Sequence, residues 1–321
     1  MVKQVSIIDD LDSVFGFCNE KTSGGGEDSF FYSINEKAGI LSVFDGCGGS
    51  GSTRYQSLGN HTGAYIASRA TAAAVEKWFN DICAGEKLSV EALKHQIVET
   101  LKYCIYSAEL PPSKLKGSNR RILPTTASIL LVTQEDSHYE IATISAGDSR
   151  TYILLPDGLK QLSRDDLRNE DAMTDIYNGA PMTNVISAEE DFRLNIATRS
   201  IVTPFVAITA TDGCFNYFLS PMEFEEMILR TLMEARSIDS WNAKLQKSIL
   251  EVTGDDQSMV VAVWGFQTFE KLKEALRDRW VRLTSQVVRF ATDDFRPRET
   301  MWGEYKRGYY SLADGGVPAI G

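Results

Sequence analysis

The order of short apolar runs along the chain constrains its fold most strongly. Runs rich in Val, Ile, Phe and Tyr end at Gly, Asp or Ser turns, which is typical of β-strands. They span residues 29–34, 40–44, 127–133, 139–145, 150–155, 205–210 and 258–264. Segments with helical spacing of apolar residues lie between these groups, at 62–83, 89–108, 220–233 and 241–252. Because strands are grouped and do not alternate with helices, the sequence predicts a layered antiparallel α+β domain.

The character of the chain changes near Gly265 and Phe266. We therefore divide it into a main domain, 1–265, and a C-terminal helical and irregular extension, 266–321. Apolar residues at positions 269, 272, 276, 280, 283 and 287 form one face of a predicted helix, and 293–321 has no clear period. Two interpretations stay open: the helix packs on the main domain as a final core element, or the extension is a docking site for a partner.

Composition excludes several kinds of site. The chain has 44 acidic and 33 basic residues and a formal charge of −11, which argues against nucleic acid as a partner. Only three histidines are present, so there is little material for a histidine-rich metal site or a Ser-His-Asp triad. The five cysteines contain no Cys-x-x-Cys pair, so neither a disulfide framework nor a zinc site is indicated. Any catalysis must depend on carboxylates.

Targeting signals are also missing from the sequence pattern. No apolar run approaches the ~20 residues that cross a bilayer. The first ten residues carry two aspartates and no long apolar stretch, unlike a secretory signal. We therefore expect a cytoplasmic protein with no membrane partner.

Five short motifs place an aspartate at a turn next to an apolar run. A single Asp-Gly after a strand is usually only a turn, but five such motifs together need another explanation. Hard cations such as Mg²⁺ and Mn²⁺ prefer oxygen ligands, and they relieve the repulsion between crowded carboxylates. The sequence therefore predicts a site for several metal ions, built from Asp28, Asp45, Asp148, Asp212 and Asp255.

The motifs and their order resemble the metal-dependent serine/threonine protein phosphatases of type 2C, the PPM family. The resemblance covers roughly residues 5–264. The matching motifs are Glu27-Asp28, Phe44-Asp45-Gly46-Cys47-Gly48-Gly49, Thr125-Thr126-Ala127, Gly147-Asp148-Ser149-Arg150, Asp212-Gly213 and Asp255-Asp256-Gln257-Ser258.

The resemblance implies a four-layer α-β-β-α sandwich of two antiparallel sheets flanked by helices, with a metal cleft at one end. It implies two Mg²⁺ or Mn²⁺ ions and allows a third. The implied reaction is hydrolysis of phosphoserine and phosphothreonine in proteins, in which a metal-bridging hydroxide attacks phosphorus in line. No covalent phosphoenzyme is needed.

Ligand roles carry over by motif. Asp45 would bridge two ions, and Asp212 and Asp255 would complete one of them. The Gly46 carbonyl would bind the other ion. Glu27 and Asp28 would hold the waters of that ion. Asp148, together with Asp212, would serve a third, weaker metal site.

Two family groups are replaced in this chain. Cys47 stands where the family has a histidine that is thought to protonate the leaving alkoxide. Either the Cys47 thiol donates that proton, or it fills space and water does so; an oxidation-sensitive Cys47 is a further alternative. The family's phosphate-binding arginine is also missing, and Lys21 is the candidate that could supply a charge in its place.

An apparent insertion at 50–61 could compensate for these losses. It places Arg54, as a candidate for phosphate binding, and His61, as a candidate acid, on a loop that leaves the cleft. Solvated loop residues are the alternative. The segment 162–195 occupies the place of the family's variable flap and carries Asp165, Asp166, Glu170 and Asp171. We expect it to be a mobile element facing the substrate, with an ordinary solvated surface as the alternative.

Three functions follow from these features. The first is an active phosphoprotein phosphatase. The second is a catalytically weak pseudophosphatase that binds partners, which the two replaced groups favour and the complete set of acids opposes. The third is a metal-dependent phosphatase of small phosphate esters, which would share the chemistry and differ in its cleft.

Overall fold

The structure is a computed structural model that describes residues 13–35, 38–108, 122–135, 138–168, 171–202, 204–287 and 295–313. The strands in these ranges are β1 (Ser13–Asn19), β2 (Ser29–Ile34), β3 (Ala38–Phe44), β4 (Arg54–Tyr55), β5 (His61–Thr62), β6 (Ala127–Gln134), β7 (Tyr139–Ala146), β8 (Arg150–Leu155), β9 (Gly158–Gln161), β10 (Asn195–Ile201), β11 (Phe205–Ala210) and β12 (Gln257–Trp264). The helices are α1 (Gly63–Cys83), α2 (Val90–Ser107), α3 (Ala172–Asn178), α4 (Asp212–Phe215), α5 (Pro221–Glu234), α6 (Ile238–Leu250), α7 (Phe269–Val287) and α8 (Phe295–Tyr309).

Ten of the strands form two five-stranded sheets. The first sheet has the order β1-β12-β11-β8-β9, and the second has the order β10-β7-β6-β3-β2. Every neighbouring pair in both sheets is antiparallel. The remaining two strands, β4 and β5, form a short hairpin. The predicted pair of antiparallel sheets is confirmed.

The sheets pack face to face, and helices cover their outer faces. Leu41 and Leu130 of the second sheet share a buried cluster with Ile153 and Val260 of the first. Alternate residues on each strand point the other way, as a period of two requires. Helices α1 and α2 bury the outer face of the second sheet, and α5, α6, α7 and α8 bury that of the first. These are the four layers that the resemblance implied.

Local signals explain where the main helices begin. Thr62 caps α1 by accepting a hydrogen bond from the Tyr65 amide at 3.2 Å. Ser89 caps α2 in the same way from the Ala92 amide, although the Glu or Gln of a full capping box is missing. In the ranges described above, no helix is both long and apolar enough to span a lipid bilayer.

Five strands and one long helix were not predicted, and two of these strands, β4 and β5, have only two residues each. Strands β1 and β10 mix polar residues with apolar ones, and β9 is only four residues long, so none shows a clear apolar run. Helix α8 contains Pro297, Gly303 and Gly308, which lower helix propensity and hide the helical period. Its register is set by packing on the rest of the molecule.

The predicted extension packs against the first sheet. Leu272, Leu276 and Leu283 of α7 are fully buried in the cluster that covers this sheet. Trp302 and Tyr309 of α8 lie in the same cluster. These contacts are those expected of a final core element, and the division of the chain at residue 265 stays a prediction.

Candidate metal centre

Antiparallel register brings the ends of several strands to one edge of each sheet. In the second sheet, Ser29 at the start of β2 pairs with Phe44 at the end of β3. In the first sheet, Ala210 at the end of β11 lies between Arg150, which begins β8, and Met259 of β12. The residues next to or near these ends include the predicted acids Asp28, Asp45, Asp148, Asp212 and Asp255.

The acids of the two sheets lie close enough to affect one another. Burial raises the pKa of Asp45 well above its ordinary value, and the neighbouring carboxylates raise it further; they are Asp28, Asp212, Asp148 and Asp255. The Asp212 carboxyl lies within hydrogen-bonding reach of Asp45, and burial followed by the charge of Asp255 raises its pKa. The five predicted aspartates therefore form one cluster, called the acidic cluster below.

Asp148 brings an oxygen that lacks a protein partner. Its Oδ1 atom is buried and accepts no hydrogen bond from the part of the chain that the structure describes. Burial, then the charges of Asp212 and Asp165, raise its pKa, while Arg150 opposes the shift. A buried carboxylate oxygen of this kind is costly unless a cation or a water satisfies it.

Asp28 is the most buried acid of the cluster, with 2% of its surface exposed. Burial raises its pKa from an ordinary value of 3.8 to about 8; the Thr211 hydrogen bond opposes the shift and the charge of Asp212 adds to it. The Thr211 hydroxyl donates to its Oδ2 atom at 2.8 Å. In the absence of cations, Asp28 is therefore mostly protonated at pH 7.

The loop that carries Glu27 is held by Asp256. The Asp256 carboxylate accepts hydrogen bonds from the backbone amides of Lys21 and Glu27, both at 2.7 Å. The Thr62 hydroxyl donates to Glu27 Oε1. Burial raises the pKa of Glu27. The hydrogen bond from Thr62 opposes this shift, and the charge of Asp256 adds to it. Asp256 and Thr62 are thus positioning residues that the sequence analysis missed.

Two glycines allow the segments of the cluster to approach closely. A Cβ atom on Gly46 would lie 2.6 Å from the Ala64 carbonyl oxygen and 2.7 Å from that of Glu27. A Cβ atom on Gly213 would lie 1.9 Å from the Asp256 carbonyl oxygen. Real Cβ atoms do not approach oxygen so closely, so glycine is required at both positions of the Asp-Gly motifs.

Threonines fix the backbone of Asp45. The Thr126 hydroxyl accepts a hydrogen bond from the Asp45 amide at 3.1 Å and bonds to Ser149 at 2.7 Å. The Thr125 hydroxyl donates to the Asp45 carbonyl at 2.8 Å. The Thr-Thr motif therefore fixes the backbone of Asp45 through both its amide and its carbonyl group.

The donor set of the acidic cluster suits Mg²⁺ or Mn²⁺. In the described ranges, no three His, Cys, Asp or Glu side chains are arranged to hold an ion by themselves. Mg²⁺ usually keeps several waters and needs only one or two carboxylates, so this arrangement does not exclude it. The Asp45–Asp212 contact and the unpartnered Asp148 oxygen supply such positions. Zinc sites instead rely mainly on His and Cys ligands.

Cys47 adjoins the acidic cluster. Its Sγ atom lies 3.9 Å from the Asp45 carbonyl oxygen. Burial, then the charges of Asp45, Asp148 and Asp212, raise its pKa well above the ordinary value. A raised pKa favours the thiol over an oxidation-sensitive thiolate. Its catalytic role stays a prediction.

The apparent insertion folds as an ordered hairpin. Arg54 in β4 donates to the Asn60 carbonyl at 2.8 Å and is exposed. The Arg54 charge is among the influences that lower the pKa of Glu27 against the raising effect of burial, so Arg54 lies near the acidic cluster.

His61, at the other end of the hairpin, is engaged in a stack. The His61 ring is stacked on the Tyr65 ring, with 3.8 Å between the ring centroids. The Arg69 guanidinium lies 3.5 Å from the centroid of the Tyr65 ring. The stack anchors the hairpin to α1. Its role as an acid remains a prediction, and so does that of the exposed Lys21 in phosphate binding.

The segment 162–195 is tied to the cluster by its acids. Asp165 pairs with Arg150 at 2.7 Å, and both side chains are buried. Asp166 is buried as well; its amide donates to the Gly147 carbonyl at 2.8 Å, and its Oδ2 atom accepts from the Gly147 amide at 3.1 Å. For these two side chains both the substrate-facing position and the solvated surface are wrong, because internal contacts bury them.

Asp171 also has a structural partner. It caps α3 by accepting from the Thr174 amide at 3.0 Å, and it accepts from Trp302 Nε1 at 3.0 Å. Lys306 of α8 lies 3.6 Å away. The fourth acid predicted for this segment, Glu170, lies outside the described residues.

Comparisons with known proteins bear on the fold. No family model and no curated protein matches the sequence. Among solved structures, the serine/threonine phosphatase PstP/Ppp of Mycobacterium tuberculosis superposes with a TM-score of 0.56 at 17% identity, over 78% of this chain and 97% of that one. Stp1 of Staphylococcus aureus gives 0.55 at 16% identity, over 78% and 94%. The catalytic domain of PstP in complex with two manganese ions gives 0.50 at 16% identity, over 78% and 96%.

These superpositions establish the architecture, and sequence identity this low leaves the activity open. The motifs of this chain lie next to or near strand ends of its sandwich. The chain has the fold of the type 2C serine/threonine phosphatases, the PPM fold that its motifs predicted.

Proposed function

We propose that this protein hydrolyses phosphoserine and phosphothreonine in phosphoproteins with the help of Mg²⁺ or Mn²⁺. The observation that carries the proposal is the acidic cluster, where buried carboxylates crowd together without enough protein cations to neutralise them. A neighbour of the same fold binds two manganese ions, which supports two ions here and allows a third.

The proposed ligand assignment is the one that the resemblance implies, and the contacts within the cluster support it. Asp45 would be shared by two ions, with Asp212 and Asp255 completing one and the Gly46 carbonyl reaching the other. Glu27 and Asp28, whose carboxylates accept hydrogen bonds from Thr62 and Thr211, would hold coordinated waters. Asp148 together with Asp212 would hold a third ion. Asp255 is exposed, but its charge is felt by Asp45 and Asp212, which supports its inclusion.

When bound, the ions would activate water as the nucleophile and neutralise charge on the phosphoryl oxygens. The chain's own residues position these parts. Asp256 and Thr62 orient Glu27, and Thr126 orients Asp45. Cys47 is the candidate donor of a proton to the leaving serine or threonine oxygen, because its thiol adjoins Asp45 and is protonated.

Arg54 is a better candidate than Lys21 for binding the substrate phosphate. Its guanidinium presents a planar fork of donors, and its charge acts on Glu27 within the cluster. Lys21 is exposed, and its backbone amide is used to bind Asp256. His61 would contribute through the hairpin that carries Arg54.

The wider setting follows from the sequence. We propose a phosphoprotein as the substrate and the cytoplasm as the location, with no role for nucleic acid. The extension 266–321 stays a candidate docking surface for a partner, on those parts of α7 and α8 that face away from the first sheet.

The direct test is hydrolysis of a phosphothreonine peptide with and without Mn²⁺ by the protein and its Asp45→Asn and Asp212→Asn variants. The matched control is Asp81→Asn, an exposed carboxylate on α1 paired with Lys77. Turnover that requires manganese, persists in the control and is lost in both site variants supports the proposal.

Two other outcomes would favour the alternatives. Manganese binding without turnover on any substrate would indicate a partner-binding pseudophosphatase. Faster turnover of p-nitrophenyl phosphate and free nucleotides than of the phosphopeptide would indicate a phosphatase of small esters.

A further inference from the structure

A second polar site lies beside the acidic cluster, at the edge of the second sheet. Strands β7 and β10 pair so that Asn195 lies opposite Ser145 and Arg199 lies opposite Ile141. Ile141 belongs to the cluster between the two sheets, so its alternate neighbours point the same way. Polar side chains thus occupy the inner face of the sandwich here, where apolar ones are expected.

Arg199 is the unusual member of this group. It is only 4% exposed. Its Nη1 atom donates to the Thr143 hydroxyl at 3.1 Å and its Nη2 atom to the Leu162 carbonyl at 3.2 Å, while its buried Nε atom has no partner. Within the described part of the chain, no carboxylate pairs with it. Burial lowers its pKa to about 10. Buried cations are normally paired with an anion, so this charge is uncompensated.

A cavity of 570 Å³ lies directly beyond the groups that the Arg199 guanidinium binds. The three hydrogen-bond acceptors of Arg199, which are Thr143, Leu162 and Ala313, all line this cavity. The volume lies in the range of small-molecule sites. Polar side chains that can donate hydrogen bonds complete the wall, including Ser145, Ser163, Asn195 and Arg193.

The two acids in the wall have partners: Asp165 is paired with Arg150, and Asp166 is hydrogen-bonded by amides and lies 3.7 Å from Arg193. Asp165 accepts from Arg150 at 2.9 Å and from Gln161 at 2.8 Å. Asp166 accepts from the side-chain amides of Asn184 at 2.6 Å and Asn195 at 3.0 Å, besides the Gly147 amide. Arg150 balances Asp165 and Arg193 balances Asp166, so the charge of Arg199 remains as an excess positive charge beside the cavity.

We propose that this cavity is a second anion site, which binds a phosphate-type oxyanion through the charges of Arg199 and Arg193 and the hydroxyl of Ser145. The site is separate from the acidic cluster and does not depend on the phosphatase proposal. It borders the turn that carries Asp148, because Asp166 and Gly147 exchange two hydrogen bonds. Bound anion would therefore stabilise this wall of the molecule.

The test is thermal unfolding of the full chain in EDTA, so that divalent ions do not recruit phosphate to the acidic cluster. Inorganic phosphate is titrated at constant ionic strength, with chloride replacing it at each point. We expect phosphate to raise Tm by several degrees in a saturable manner, as a ligand of the folded state must. O-phosphoserine in a parallel titration distinguishes free phosphate from a phosphorylated side chain: the tighter binder is the better model of the ligand, and either supports the site.

Variants locate the response. Arg199→Met is expected to abolish it, and Arg193→Gln, at a side chain 72% exposed, to weaken the apparent phosphate affinity about fivefold without affecting folding. The matched control is Arg230→Met on α5, which does not line the cavity and should respond like the wild type. A wild-type response no larger than that to chloride overturns the proposal. So does wild-type affinity in Arg199→Met or, if that variant does not fold, in Arg193→Gln.

Discussion

Two buried groups of acids in this molecule are balanced in different ways. At the helix junction, where α5 meets α7 and α8, Glu225 is fully buried and accepts two hydrogen bonds from Arg279, both at 2.7 Å, and one from Tyr305. Beside it, Glu223 pairs with Arg298 at 2.8 Å. In the acidic cluster, the carboxylates influence one another, and Asp148 keeps an oxygen that no group in the described ranges binds.

The difference separates structural acids from acids that await a ligand. Burying a carboxylate is costly in both places, and the chain offsets that cost at the helix junction with its own guanidinium groups. At the acidic cluster the compensating charge must come from solution, or the groups must hold protons. Raised pKa values at Asp28, Asp45 and Asp212 are the signature of the second case.

The largest expected effect is on activity. Asp45→Asn should lower the manganese-dependent kcat on a phosphothreonine peptide by at least about a thousandfold, the scale of losing one preorganised electrostatic group. In EDTA the same variant should be no less stable than the wild type, because it removes a source of repulsion. Steady-state kinetics and thermal unfolding measure both. An Asp45→Asn protein that is less stable than the wild type in EDTA would contradict the difference between the acidic cluster and the helix junction.

The opposite result is expected at the helix junction. Glu225→Ala should lower the free energy of unfolding by about 3 kcal/mol, because it leaves Arg279 buried without its partner. Urea unfolding measures this change. Replacing both partners, as Glu225→Met with Arg279→Met, should recover most of the loss. If kcat fell a thousandfold while stability was unchanged, Glu225 would belong with the catalytic acids.

A smaller effect is expected at the anchor of the Glu27 loop. Asp256→Ala should weaken manganese binding or activity about 10- to 100-fold, as removal of a supporting hydrogen-bond partner usually does. The two amides that it holds, of Lys21 and Glu27, would lose their acceptor. Calorimetric titration with manganese tests this, with Asp81→Asn as the control. Wild-type affinity in Asp256→Ala would exclude the anchoring role.

A further expected effect concerns pH. Since the pKa of Asp28 is about 8 in the folded state and near 3.8 when unfolded, the folded state binds more protons between these values. The contribution of Asp28 to the free energy of unfolding, without metal, should therefore be greatest below pH 4. It should fall as pH rises and level off above pH 8.

Thermal unfolding in EDTA should accordingly give a lower Tm at pH 8 than at pH 5.5, and Mn²⁺ should reverse the difference. Asp28→Asn should reduce this dependence of Tm on pH. A Tm that rises from pH 5.5 to pH 8 without metal would contradict the assigned shifts.

Local patterns in the sequence predicted the strand ends and their aspartates well. Seven predicted strands were confirmed within two residues of their ends, because each has an apolar run closed by a turn. The five aspartates follow from the same turns, and the structure brings them together.

What could not be predicted depends on contacts between distant segments. Asp256 binds amides more than 200 residues away, and Thr211 binds Asp28 at a similar separation. The hairpin at 54–62 looked like a solvated loop because its stack involves Tyr65 of the following helix. Doubled acids such as Asp255-Asp256 are the one local hint, since two adjacent carboxylates at a strand start can serve different partners.

Manganese anomalous scattering from crystals of the protein tests the account most directly. We predict at least one strong peak between Asp45 and Asp212, within bonding distance of a carboxylate oxygen, and its loss in Asp45→Asn crystals. Saturating manganese with no peak at these residues, and with their carboxyl groups still in mutual contact, would contradict the claim that the acidic cluster exists to bind metal.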